Sequence, residues 1–269
     1  MLVKGYFMSD DYTNLQNPDS DYTDSTNAAS PYSGKTSKKP APKPALKKPA
    51  NGEVTILATY NWDPPISGKT EIEYLLSGKW HPGTLDYIEI AGPTKTSPGN
   101  FTALLGMIVE YAPGSIKRLN FFTHANKKVI GIIGTMDDKN VYFTESVDET
   151  EISNNATNTI QYTFNGQSFY LTDVQARFTD DAIFVLYGCD IAFDPTTLLT
   201  ALKDLLNVTV IGFKDKTVFC PPSQTIGGTV FNRSGEKMGI MKKDFKCGTD
   251  STTDWRSLIN NPNAVKVTK

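Results

Sequence analysis

Ile116-Lys117-Arg118-Leu119-Asn120-Phe121-Phe122-Thr123 runs into His124, and Ala182-Ile183-Phe184-Val185-Leu186-Tyr187-Gly188 runs into Cys189. Each stretch is strand-length, largely apolar and closed by small or polar residues, the pattern of an inner strand in a parallel sheet covered on both faces. In open α/β sheets, chemistry gathers just beyond the carboxyl ends of the strands. If the two are parallel neighbours, an imidazole and a thiol meet at one rim, as a base and its nucleophile must.

The pattern extends outward from these runs. Leu85-Asp86-Tyr87-Ile88-Glu89-Ile90 alternates like a strand. Ser97-Pro98 then predicts a helix start, with Ser97 as cap, and Phe101, Leu104, Leu105, Ile108, Val109 and Ala112 form its apolar stripe up to Pro113-Gly114. Residues 85–123 thus read as strand, helix, strand. After His124, Val129-Ile130-Gly131-Ile132-Ile133-Gly134 and Val141-Tyr142-Phe143 flank a polar turn and predict a hairpin. Its glycines are not a phosphate loop, because no Gly-Lys-Ser/Thr follows them, and a nucleotide-binding reading loses its main support.

Residues 146–159 are polar and without apolar period. They read as a long mobile or functional loop, accessible enough to be a self-cleavage site. Leu171, Val174 and Phe178 mark a short helix before the cysteine strand. Asp194-Pro195 predicts the cap of the next helix, with the stripe Leu198, Leu199, Leu202, Leu205 and Leu206, and Val208-Thr209-Val210-Ile211-Gly212-Phe213 predicts a strand after it. Thr229-Val230-Phe231 and Lys237-Met238-Gly239-Ile240-Met241 read as a hairpin around Asn232-Arg233-Ser234-Gly235, and a short helix is expected from Asp254 to Asn260.

The 269 residues, 39% of them apolar, suffice for a substantial core. Residues 1–52 form a polar tail turning into the lysine- and proline-rich run around Lys38-Lys39-Pro40, a segment with too little apolar surface to offset its ordering entropy. It reads as a tail or linker, or as a docking segment that ties the folded part, 53–269, to a larger assembly. A formal net charge of -2 argues against a nucleic-acid surface, and no apolar run reaches membrane-spanning length. Residues 1–11 lack the sustained apolar core of a secretory signal, so cytoplasmic synthesis is the expectation.

Cys189, Cys220 and Cys247 are an odd set without a disulfide spacing, and there is no Cys-x-x-Cys to accompany His81 and His124 in a metal site. Neither metal nor cofactor is expected. His81, with Trp62 and Trp80, reads as a packing or lid residue. For Cys189 two readings stand side by side: a buried space-filling thiol, or a nucleophile paired with His124.

Leu119-Asn120-Phe121-Phe122-Thr123-His124, Ile130-Gly131-Ile132-Ile133-Gly134 and Leu186-Tyr187-Gly188-Cys189-Asp190-Ile191-Ala192, in that order, resemble a caspase-like domain found in large bacterial surface or exported proteins, related to the caspase and gingipain cysteine peptidases. The resemblance covers about residues 85–215. It implies a three-layer α/β/α sandwich with a mostly parallel central sheet and added hairpins, and a peptide or protein substrate. It implies a dyad in which Cys189 attacks a peptide carbonyl and His124 handles the proton, with the backbone N–H groups of Ala125 and Cys189 facing the oxyanion. It also raises export by a non-classical route. The family usually carries glycine directly after the histidine, where this chain has Ala125; the N–H survives that change, and the loop loses conformational freedom. An inactive caspase-like module attached through residues 1–52 is the alternative.

Overall fold

The computed structural model describes residues 45–62, 94–96, 98–136, 141–156, 159–193, 197–220, 237–240, 251–252 and 254–269. Their elements, in chain order, are β1 (Glu53–Leu57), β2 (Thr59–Trp62), β3 (Thr94–Thr96), α1 (Phe101–Val109), β4 (Ile116–Phe122), β5 (Val129–Met136), β6 (Val141–Asp148), α2 (Glu149–Asn155), β7 (Gln161–Phe164), β8 (Gln167–Tyr170), α3 (Leu171–Gln175), β9 (Phe178–Tyr187), α4 (Leu198–Leu206), β10 (Thr209–Phe213), β11 (Thr217–Cys220), β12 (Lys237–Ile240), β13 (Ser251–Thr252), a 3-10 helix (Trp255–Asn260) and β14 (Ala264–Val267).

The chain is a mixed α/β protein with a mostly parallel central sheet. Its strands lie in the order β3-β1-β4-β9-β10-β14; the first five run parallel and β14 closes the edge antiparallel. Because β1 sits between β3 and β4, chain order reverses at the β1/β4 boundary, and the crevice at such a switch point is where open α/β sheets place their ligands. Every residue of β1 is buried, as expected of an inner strand.

Residues alternate between two environments. Gly212 of β10 stands against α4: a Cβ there would meet the Leu199 side chain at 3.0 Å, so helix and strand approach more closely than a larger residue would allow. Leu198, Leu199, Leu202, Leu205 and Leu206 are all buried, as their spacing predicts. On the opposite face, Phe122 and Tyr187 stack with ring centroids 4.5 Å apart and planes 8° from parallel, and Trp255 of the 3-10 helix packs edge-on against both. The same 3-10 helix borders β12 and β13.

A polar seam runs beneath these aromatics. The β1/β4 register sets Glu53 beside Arg118 and Thr55 beside Asn120. Asn120 Nδ2 donates to Glu53 Oε1 at 2.8 Å, Arg256 Nε donates to the same oxygen at 3.0 Å, and Arg118 donates to Asn120 Oδ1 and to the Tyr187 hydroxyl, each at 2.8 Å. Two guanidinium groups therefore converge on one mostly buried carboxylate. Such a network adds little net stability, because desolvation consumes the Coulombic gain, but losing one member strands its partners.

Several expectations need correction. The first helix begins at Phe101, and Asn100 is its cap, accepting from the Ala103 N–H at 2.8 Å; Ser97 falls outside the described residues, and Pro98 precedes the helix instead of opening it. Residues 146–156 are not loop: β6 continues to Asp148, whose carboxylate caps α2 by accepting from Glu151 N–H at 2.8 Å, and Ile152 of that helix is fully buried, while 157 and 158 lie outside the described residues. One apolar residue per helix is too weak a periodic signal to read from sequence. A self-cleavage site in an ordered helix loses its rationale.

The β7–β8 hairpin around Asn165-Gly166 and the edge strand β14 were not read from the sequence. The tail was expected to end at residue 52, yet Lys47 already bridges Tyr111, with Lys47 N–H donating to Glu110 O at 3.0 Å. The expected β5–β6 hairpin and the helix at Leu171 are present, and the strand expected over Val208 to Phe213 is β10, Thr209–Phe213. The proposed strands at 85–90 and 229–231 and the cap at Asp194 lie outside the described residues. No helix among the described residues is long and apolar enough to cross a membrane.

Glu53→Ala should lower unfolding stability by about 3 kcal/mol or more, since it leaves Arg118 and Arg256 without their shared counter-charge. Urea denaturation checks this; a loss below about 0.5 kcal/mol would mean the seam is solvated.

Candidate functional site

β4 and β9 pair in register up to Phe122 opposite Tyr187, and the Thr123 N–H then donates to the Tyr187 carbonyl at 3.1 Å. The Ala58 N–H, just past β1, donates to Phe122 O at 2.9 Å. Three adjacent parallel strands therefore end at one level, and His124 and Cys189 each stand two residues past a paired position. Neighbouring strands lie about 4.8 Å apart, so the two loops leave the sheet side by side.

The loops touch. A Cβ placed on Gly188 would lie 2.7 Å from the Ala125 Cβ and 3.4 Å from Thr123 O, which explains why glycine precedes the cysteine. The same contact limits how large the residue after His124 can be. A glycine at position 125 would leave this space open, whereas Ala125 fills it with a methyl group that only Gly188 can accommodate.

The histidine loop is fastened to the hairpin that follows it. Gly131 N–H donates to His124 O at 2.9 Å, Asn126 N–H donates to Val129 O at 3.0 Å, and the Thr123 hydroxyl donates to Gly131 O. These bonds make Ala125 and Ile130 a non-hydrogen-bonded antiparallel pair, in which the Ala125 N–H points away from the hairpin. His124 is buried, with 2% exposure.

Cys189 is buried too, at 4% exposure, and its Sγ donates to Thr217 O at 3.5 Å. Burial, and then the neighbouring Asp190 carboxylate, push the thiol up to about 12, while the Thr217 contact and Lys216 act in the opposite direction. At neutral pH the resting sulfur is therefore protonated. Asp190 turns the chain immediately after it with φ +54, a left-handed conformation uncommon outside glycine. Such positions persist where the surroundings enforce them, and they concentrate at functional loops.

Two features were not foreseen from the sequence. Thr217, the cover over the sulfur, belongs to a strand start with no distinguishing composition. Lys127 and Phe193 form the other: the ammonium lies 3.5 Å from the centre of the ring, joining the histidine loop to the turn after Cys189, with Phe193 57% exposed. An exposed phenylalanine four residues past a candidate nucleophile was the only available signal. His81, Trp80 and Cys247 lie outside the described residues, and among those residues no cluster of three or more metal-ligating side chains occurs.

No protein-family model, curated protein or solved structure matches this chain.

Gly188→Ala should destabilise the protein by about 1–3 kcal/mol through overpacking against Ala125. Adding Ala125→Gly should recover most of that loss in thermal unfolding; additive losses would show that the two loops do not share this contact. For Cys189, the folded pKa lies above the unfolded one, so the native state holds a proton that the unfolded state releases. The resulting contribution is intact below about 9 and is lost as pH rises towards about 12. Denaturation across that window should show a decline that Cys189→Ala flattens, and an equally steep decline in the variant would contradict it.

Proposed function

We propose that this chain is a caspase-like cysteine endopeptidase acting on a peptide or protein substrate, with Cys189 as nucleophile and His124 as its base. The observation that carries the reading is the common ending of β4 and β9, with Gly188 packed against Ala125 and Thr123 just past the two strand ends. A mostly parallel sheet with helices packed on it and added hairpins supports a caspase-like sandwich.

The chemistry follows from the resting protonation state. A thiol held near 12 is a poor nucleophile, so attack requires His124 to accept its proton as sulfur bonds to the carbonyl carbon. The oxyanion formed would take hydrogen bonds from the Ala125 N–H, which already points away from its hairpin, and from the Cys189 N–H. The imidazolium then gives its proton to the leaving amine as the C–N bond breaks. Water, deprotonated by the same imidazole, hydrolyses the thioester.

The burial of the sulfur favours a second reading, an inactive module of the same fold that joins a larger assembly through residues 1–52. The test is digestion of an unfolded protein substrate by the full chain, read by mass spectrometry. Cleavage should fall by about a thousandfold or more in both Cys189→Ala and His124→Ala. Equal cleavage by wild type and Cys189→Ala would reject the peptidase, and partner association lost only on deleting 1–52 would favour the module.

A further inference from the structure

We infer that Phe193, held in place by Lys127, is a recognition surface beside Cys189 and His124 on which an aromatic or large aliphatic side chain of the substrate peptide packs. What becomes of the peptide rests on the peptidase reading; its recognition stands on geometry alone.

Both loops are pinned so that these two side chains stand outside. Asn126 folds the histidine loop into a tight turn: its N–H donates to Val129 O at 3.0 Å, and its Oδ1 accepts from the Lys128 N–H at 2.8 Å and the Val129 N–H at 3.0 Å. Lys127 and Lys128 are exposed at its tip. On the cysteine side, Phe193 N–H donates to Asp190 O at 3.1 Å and closes a turn that starts from the left-handed Asp190. Ile191 and Ala192 are buried, and Ala192 N–H is held by Phe213 O at 3.0 Å. The residue that follows them, Phe193, is left 57% exposed.

Single exposed apolar side chains are common and by themselves carry no function. Among the described residues Leu46, Tyr142 and Tyr170 are exposed as well. Phe193 differs in two respects. The first is its place at the rim. The ends of such a turn lie within about 7 Å of each other, so a peptide extended at about 3.3 Å per residue and reacting at Cys189 passes Phe193 within about three residues. The second is the Lys127 ammonium, 3.5 Å from the ring centre, which reaches across from the histidine loop and fixes the ring while leaving the rest of it open. A ring already fixed loses little freedom when it is covered, and covering it removes apolar area from water. Aromatic partners gain further from ring-on-ring geometry.

The experiment uses the full chain carrying Cys189→Ala, so that bound peptides are not consumed. Fluorescent glycine- and serine-rich host peptides, each with one guest side chain, are titrated with it and binding is read by anisotropy. Phe, Tyr, Trp or Leu guests should bind about tenfold more tightly than an Ala guest. Phe193→Ala should erase that difference, whereas Phe193→Leu should keep most of it. Lys127→Ala should reduce it about threefold, and Lys127→Arg, which keeps a cation over the ring, should restore it. Equal binding of all guests, or a preference that survives Phe193→Ala, would overturn the recognition surface, and a preference unchanged in Lys127→Ala would overturn the part given to Lys127. In parallel, the chain with Cys189 intact digests an unfolded protein. A guest preference that depends on Phe193, without any cut that depends on Cys189, keeps the surface and removes the peptidase. Cuts that depend on Cys189 without that preference do the reverse.

Discussion

The parallel ladder between β4 and β9 is the constraint on which the rest depends. Its register sets Asn120 beside Val185 and Phe122 beside Tyr187, and the stacked rings of the last pair bring both strands to an end together. A shift of one residue would turn the aromatic pair to the helical face and separate His124 from Cys189, because side chains alternate with a period of two. Trp255 reinforces the register from outside by packing on both rings at once. A stack and an edge-on indole at one point favour this alignment over its neighbours, adding about 0.5–1.5 kcal/mol per ring pair beyond buried area.

The polar seam under the aromatics serves the same end by different means. Glu53, Arg118, Asn120 and Arg256 join the first strand, the histidine strand and the C-terminal 3-10 helix. Buried charge is a weak source of stability but a strict judge of alignment, since a misplaced Glu53 would leave both arginines uncompensated. Tyr187 connects the two layers: its ring stacks on Phe122 while its hydroxyl accepts from Arg118, and burial raises its pKa so that it stays a neutral phenol. The rim that carries His124 and Cys189 thus stands on a hydrogen-bonded base.

Much of this arrangement was legible in the sequence because its signals were local and strong. Two apolar runs ending in His124 and Cys189 gave two inner strands, and the five leucines between 198 and 206 gave a helix with a buried face. Two β-rich runs on either side of a polar turn gave the β5–β6 hairpin. Reading failed where the local signal was faint. Helix α2 has a single buried apolar residue, Ile152, and is held by an Asp148 cap in a polar context that reads equally well as loop. Asn100 outcompeted Ser97 as a cap because Gly99, at φ +82, turns the chain just before it, and no composition rule reveals that turn.

By itself the sequence determined the two inner strands β4 and β9, the leucine-rich helix and the β5–β6 hairpin, and that an imidazole and a thiol follow two buried runs. Periodicity and chain-breaking residues suffice for that, since both act over a few positions. Tertiary structure alone decided that the two runs are neighbours, that Gly188 and Ala125 share one small space, and that Thr217 closes over the sulfur. These are contacts between residues 28 to 65 positions apart. No local pattern records them, because they exist only once strand order and register have been fixed by burial of the whole core.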